Sequence, residues 1–559
     1  MNSVTRAYVL AAAIGSAVGT LIMGGIASSA QPPVAAQGPP ALVRLELPRA
    51  FVDTTMPVQQ GRVVHVSAAD DLQAALNAAQ PGDTLVLAAG STYAGTFVLP
   101  KKTGQDWIVI KSSAERELPP SGTRITPRHA ARMPRIVTVR DSQPAVRAEA
   151  GAHHYRFIGV EFTAAPAVKR VSAIVEISHQ STRLPDVPAY FVFDRVYIHG
   201  NSQLDSQRGL AMNSRSTALI DSWVDECHIH GFDSQAVAAW NGPGPFKIVN
   251  NFLEGGAENI MFGGAKNSAE TMVPSDIEIR RNHLYKNPAW FQLKYPNNWV
   301  VKNLFEIKTA RRVWFEGNVL ENCWAEGQTG FAFVLKSSSP DQGQPWDTTS
   351  DLTIRLNRVI NSLNGVGIAR WSSAGPVRPG AEPTSRILIE HNLFERFGVQ
   401  SDFGRSPQAG ILFQVAGRDL TFRHNTAWNG YNFLSLPKAG TDNLLFLDNL
   451  ITPGTYALHP DGGGAGWNGG LGTHIRGESR MQGNTIIRVG SERARKTAPH
   501  AYPPENLWFD SFEAAGVDPM TCRLRPDSRA KGTATDGTDP GADVDAVMKA
   551  TAGVRAQQP

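Results

Sequence analysis

The residues best placed to do chemistry lie in two short stretches, LEGGAENIMFGG from Leu253 to Gly264 and NLFEIKTARRVWFEGN from Asn303 to Asn318. Together they supply Glu254, Glu258, Glu306, Lys308 and Arg311. Paired carboxylates beside a lysine can act as acid and base in glycoside cleavage, or they can hold a calcium ion, with Glu254 and Glu258 as its ligands. In a β-elimination, a lysine of lowered pKa removes the proton next to a sugar carboxylate. The competing reading is a polar turn in which Glu306, Lys308 and Arg311 satisfy one another.

These stretches belong to a repeat. Each unit has an alternating apolar strand, an Asp or Asn, another apolar pair, a polar turn and a second short apolar strand. The marking residues are Asp194, Asp221, Asn251, Asn282, Asn318, Asn357, Asn392, Asn425, Asn449 and Asn484, at intervals of 24 to 39 residues. Such a period is that of a solenoid with loops of varying length. Two residues before five of the marks stand Arg280, Glu316, Arg355, Glu390 and Arg423, flanked by apolar positions. Because strand residues alternate faces, stacking the units as parallel strands sets these charges in one outer row, about 4.8 Å apart, with signs alternating.

The second strands read AVAAW, NIMFG, AWFQLK, GFAFVLK, GVGIARW and GILFQV, between Ala236 and Val415. Lys294, Lys336, Arg370 and Trp371 fall at their ends, with Trp240 and Asn241 one or two coils earlier. Cations beside aromatic platforms suit an extended acidic sugar chain, the rings stacking on sugars and the cations neutralising carboxylates. The alternative is a covered apolar layer with incidental charges. His391 and His424 both precede a marking Asn, so they should stack in successive turns rather than form a metal pair.

A formal charge of +4 from 54 basic and 50 acidic side chains gives no case for nucleic acid as a partner. A charged fraction of 19% with 42% hydrophobic residues is that of a folded chain. Residues 1–30 read as an export signal cleaved after Ala30, or as an uncleaved membrane anchor, which predicts a secreted, periplasmic or cell-surface protein. Residues 31–60 read as a Pro/Ala-rich tether and N-terminal arm, 61–545 as one solenoid domain, and 546–559 as a tail. Three cysteines, Cys227, Cys323 and Cys522, read as free buried thiols, and no zinc-ligand spacing is present. Asp536 to Asp545 lacks the order of a calcium loop and reads as a closing turn.

At the start of the solenoid, VVHVSAADDLQAALNAAQPGDTLVL predicts strand, helix, turn and strand, with Asp70 or Asp71 as N-cap and a stripe of Leu72, Ala75, Leu76 and Ala79. Such a helix would close the apolar end of the stack. With the Asp/Asn marks, this segment resembles the right-handed parallel β-helix proteins of the pectate-lyase-like superfamily. The resemblance implies an all-β fold, a right-handed parallel β-helix with a short N-terminal capping helix. It leaves activity open, since the fold hosts lyases, hydrolases and adhesins alike. EIKTARRVWFEGN followed by FAFVLK is similar to the chondroitinase-B and alginate-lyase family. That match implies Lys308 as base and puts Lys336 where the family has Arg-His-Gly, although Lys336-Ser-Ser lacks both the Arg and the His. The expectation is a monomeric exported protein that binds or cleaves an acidic polysaccharide, or a non-catalytic surface protein using the same groove.

Overall fold

The computed structural model describes residues 44–178, 180–338, 344–372, 380–404, 409–428 and 430–556. Residues 1–30, read as signal or anchor, and 31–43 of the tether and arm lie outside the described residues. The chain is a right-handed parallel β-helix, built among the described residues on three parallel sheets of 15, 14 and 12 strands. One coil shows the pattern: Ala310–Glu316 in the first sheet, a turn at Gly317 and Asn318, Val319–Cys323 in the second sheet, then Phe331–Lys336 in the third. The apolar pair after each Asn is therefore a strand in its own right.

Alternation explains why these segments form strands. Val313 and Phe315, Leu352 and Ile354, Ile387 and Ile389, and Leu420 and Phe422 are buried, while the residues between them face outward. Each such side chain contributes roughly 1.5–3 kcal/mol by leaving water. At the N-terminal end the helix Leu72–Ala78 is capped by Asp71, whose Oδ1 accepts from Ala74 N at 3.0 Å, and Leu72 and Leu76 are buried in the core.

The marking asparagines form one buried ladder. Asn318 Oδ1 accepts from the backbone N of Asn282 at 2.9 Å and from its Nδ2 at 3.0 Å. The same pair of bonds recurs from Asn251 to Asn506. Asn506 thus extends the row past Asn484. Asp194 and Asp221 do not belong to it: Ser222 holds the ladder position in its coil, its N donating to Asn251 Oδ1 at 2.9 Å. Asp221 precedes that position and takes φ 54°, like His391 at 51° and His424 at 49° in later turns. Asp194 pairs with Arg156 at 2.7 Å and with Arg195 at 2.8 Å. An aspartate can hold this left-handed turn or an arginine, but it lacks the amide N–H that the ladder needs.

The charge row is present as read. Arg280, Glu316, Arg355, Glu390 and Arg423 are register partners in successive strands. Arg355 lies 2.6 Å from Glu316 and 3.8 Å from Glu390, and Arg423 lies 2.8 Å from Glu390. The carboxylates are buried beneath the arginines, so the row is less solvated than an exposed ladder.

Two segments, one before the first coil and one after the last, run lengthwise over the stack. From Glu46 to Thr55 the N-terminal arm crosses the first sheet: Glu46 N donates to Asp351, Arg49 N to Asp276, Val52 packs on Val192 and Ala218, and Arg156 donates to Thr54 O. The C-terminal segment runs back along the turns between the first two sheets. Asp448 is bonded by Thr535 N and Oγ1, each at 2.7 Å; His424 Nε2 lies 3.0 Å from Asp536, and His391 Nδ1 accepts from Asp543 N at 3.2 Å. After the helix Val544–Ala550, Arg281 donates to Ala550 O and Ala552 O, Arg124 donates to Val554 O, and Arg555 pairs with Glu321. The strap passes over Gly317, φ 65°, where an added Cβ would meet Ala550 O at 3.1 Å. Residues 536–545 and 546–556 are therefore a docked strap rather than a closing turn and a tail.

Cys227 and Cys323 are free and buried, and Cys522 is free but half-buried. Among the described residues no helix is long and apolar enough to cross a membrane.

Candidate functional site

The third sheet gathers the chemistry on its outer face. Glu258 opens strand Glu258–Phe262 and is the register partner of Asn303, which opens Asn303–Ile307. Glu306 partners Met261 on one side and Val334 on the other. Lys308 follows Ile307, the partner of Leu335, so Lys308 and Lys336 stand at equivalent positions one coil apart, about 4.8 Å along the stack. Phe305, Ile307, Phe333 and Leu335 point into the core, which turns the intervening Glu306 and Val334 outward.

The two lysines converge on one carboxylate. Glu306 Oε1 lies 3.0 Å from Lys336 Nζ and 3.7 Å from Lys308 Nζ, and its Oε2 accepts from Asn303 Nδ2 at 3.1 Å. Glu306 is fully buried, while the lysine side chains keep 15% and 19% of their surface exposed. Glu258 faces Glu306, and its Oε2 accepts from Gln235 Nε2 at 2.7 Å.

The electrostatics follow from burial and pairing. Burial would raise the Glu306 carboxyl, but Lys308 and Lys336 outweigh it and hold the group at about 2. Burial, and then the charge on Glu306, push Glu258 up to about 8, so near neutrality this pair is one carboxylic acid and one carboxylate. Burial would lower Lys308, but Glu306, Glu258 and Asp233 more than reverse it and raise the ammonium above its ordinary value. Lys308 rests protonated, the reverse of the lowered pKa expected of a base.

Other expected partners go elsewhere. Arg311 lies in the first sheet and donates to Trp346 O at 3.0 Å, so it takes no part in a turn with Glu306 and Lys308. Glu254 belongs to the second sheet, accepts from Glu226 N at 3.2 Å and faces Asp225 and Glu226, whereas Glu258 faces Glu306. Glu254 and Glu258 therefore do not fit a shared calcium ion, and the charge of Glu306 is already met by two ammoniums. Among the described residues, the His and acidic groups whose ligand atoms gather within 4.8 Å are His424, Asp448 and Asp536, the strap's own hydrogen-bonded clasp.

The expected substrate-binding set is dispersed. Lys294 sits in an exposed loop, its Nζ 6.0 Å from the Phe291 ring centre. AWFQLK is not a strand: Asn287 caps a helical turn Pro288–Gln292, and the third-sheet strand of that coil is Asn303–Ile307. Asn241 is buried, its Oδ1 accepting from Ser268 N at 2.7 Å. Trp240 carries the guanidinium of Arg208 at 4.6 Å from its ring centre. Arg370 is tied to Asp442 at 2.6 Å and to Gly417 O at 3.1 Å, with half-buried Trp371 next in the chain.

Sequence reasoning missed Lys286. It is fully buried, and its Nζ donates to Gly255 O at 2.9 Å, Gly256 O at 2.7 Å, Ala257 O at 3.2 Å and Asn259 Oδ1 at 3.2 Å. Burial brings its ammonium down to about 8. It thereby fixes the corner that delivers Glu258, a corner tight enough that a Cβ on Gly255 would meet Glu258 O at 2.3 Å.

The fold defines the class, a parallel β-helix. No protein-family model matches the chain, and no curated protein matches it. Solved structures similar to it include a PL6 family alginate lyase, AlyGC, at 11% identity and TM-score 0.48, covering 89% of this chain and 59% of that one. Another is the alginate lyase AlyF-OU02 in complex with G6, at 12% identity and TM-score 0.41, covering 89% and 95%. A third is the catalytic unit of a GH87 alpha-1,3-glucanase from Streptomyces thermodiastaticus strain HF3-3, at 13% identity and TM-score 0.43, covering 78% and 70%. The match to the first spans less than two thirds of that chain's length.

Proposed function

We propose that the protein is exported and binds an acidic polysaccharide along the outer face of the third sheet, with Lys308 and Lys336 as the pair that receives a uronate carboxylate. One observation carries this reading: two partly exposed ammoniums, at one register on neighbouring coils, are anchored from beneath by buried Glu306. The buried anion fixes their position and leaves each side chain partly exposed to receive an anion.

Cleavage by β-elimination is a second reading, favoured by the acid–carboxylate pair of Glu258 and Glu306 beside Lys308, which can exchange a proton. In it, Lys336 neutralises the uronate carboxylate and Lys308, having first given up its own proton, takes the adjacent one; the C–H electrons form the double bond as the glycosidic C–O bond breaks, and the departing oxygen takes that proton back. Because Glu306 opposes the loss of Lys308's own proton, turnover should climb with pH rather than peak near neutrality. Glycoside hydrolysis by Glu258 and Glu306 is not supported, because both carboxyls are fully buried, whereas paired catalytic carboxyls must open onto the sugar from either side.

The test is calorimetric binding of pectin- and alginate-derived uronides to wild type and Lys336→Ala, with absorbance of new unsaturated ends followed across pH. Binding that is lost in Lys336→Ala supports the proposal. No binding to any uronate chain would overturn it, and new absorbance that vanishes in Lys308→Ala would establish the lyase reading.

A further inference from the structure

We infer that a second, distal subsite for the same acidic chain lies at the C-terminal end of the third sheet, formed by Tyr456, His459 and Arg493. The inference rests on the acidic-glycan reading above. Its starting point is register: the outward column that contains Glu306 continues through Val334, Gly367, Gln414 and Ser435 to His459. Along it Val334, Gly367, Gln414 and Ser435 are half-buried and His459 is exposed, whereas Met261, Ala238 and Ala211 on the other side of Glu306 are buried. The strip therefore leads from the lysine pair toward the C-terminal coils.

At its end lies a cavity of about 470 Å³, lined by Tyr456, His459, Arg493, Lys496 and the glycine-rich segment Gly463–Gly466. Its aromatic and basic groups are already arranged. Tyr456 is 39% exposed, Tyr431 meets it edge-on at 5.1 Å, and His459 is 5.6 Å away. The Arg493 guanidinium stands 4.8 Å over the Tyr456 ring, while Lys496 is held by Glu492 at 2.5 Å. An exposed guanidinium laid on an exposed aromatic ring, with His459 alongside, presents a fixed cation to the carboxylate of a sugar and an apolar edge to its ring. From Lys336 to His459 is four strands along the third sheet, about 19 Å at the strand spacing, so only a chain long enough to cross that distance can occupy both sites.

The experiment compares short uronide oligomers with oligomers long enough to span the strip, measured calorimetrically on the full chain. Tyr456→Ala and Arg493→Ala should each weaken the long oligomers several-fold and leave the short ones unchanged. Tyr456→Phe, which keeps the ring, should retain most of the long-chain affinity, and Lys336→Ala should weaken both lengths. Loss that is equal for short and long chains, or none for long chains, would overturn the distal subsite while leaving the lysine site standing. Failure of the wild type to bind either length would overturn both.

Discussion

At Glu258 a single proton connects the site to the stability of the fold. Its folded pKa of about 8 lies above the ordinary 4.5, so between those values the folded state binds more protons than the unfolded chain. The stabilising contribution is full below about 4.5 and is lost as pH rises through about 8. Glu258→Gln, which keeps the neutral form, should therefore raise the melting temperature near pH 8 relative to wild type and flatten that part of the curve; a wild-type profile no steeper than the variant's would refute the assignment. Lys286→Met should cost at least about 2 kcal/mol in denaturant unfolding, because the corner carbonyls lose their buried donor. Lys308, Lys336 and Glu306 stood out in sequence as charges beside apolar runs, but their shared register did not, because AWFQLK was read in the strand place that Asn303–Ile307 holds. Lys286 did not stand out, since nothing in HLYKNP marks a lysine that turns inward to a neighbouring coil's corner, and neither did the anchoring of Asn241 by a serine 27 residues away.

Among the elements, the asparagine ladder does the most to fix the register of the coils. Asn357→Ala would leave the buried backbone N of Asn318 without its acceptor and its Nδ2 with Ile279 O alone, a cost of about 1–3 kcal/mol readable in the unfolding midpoint. Arg355→Ala on the charge row should cost about 1–3 kcal/mol, since the arginine is 40% exposed but its loss takes a donor from the buried carboxylates of Glu316 and Glu390. The apolar period made the ladder and the charge row readable, and it failed where two patterns looked alike. Asp194 and Asp221 share the asparagines' spacing but serve an ion pair and a left-handed turn. AWFQLK has a strand's composition, yet Asn287 and Pro288 start a helical turn there.

On the scale of the whole molecule, the two lengthwise terminal segments set a β-helix of this kind apart from an open row of coils. The C-terminal strap was not legible as structure, because its anchors are donors and carbonyls on turns hundreds of residues upstream, such as Arg281 and Arg124. A stack in which each coil touches only its neighbours can fray from an end, one coil at a time. Here the arm ties the coil of Asp351 to that of Arg156, and the strap ties the coil of Asp448 to that of Arg281. Amide exchange in the full chain should accordingly report one opening for the middle coils, whereas removing residues 536–556 should give rates graded along the axis. There is also an order in time. The strap follows every coil it spans, so those coils leave the ribosome before it, and a chain stalled before Asp536 would hold its coils without their lock.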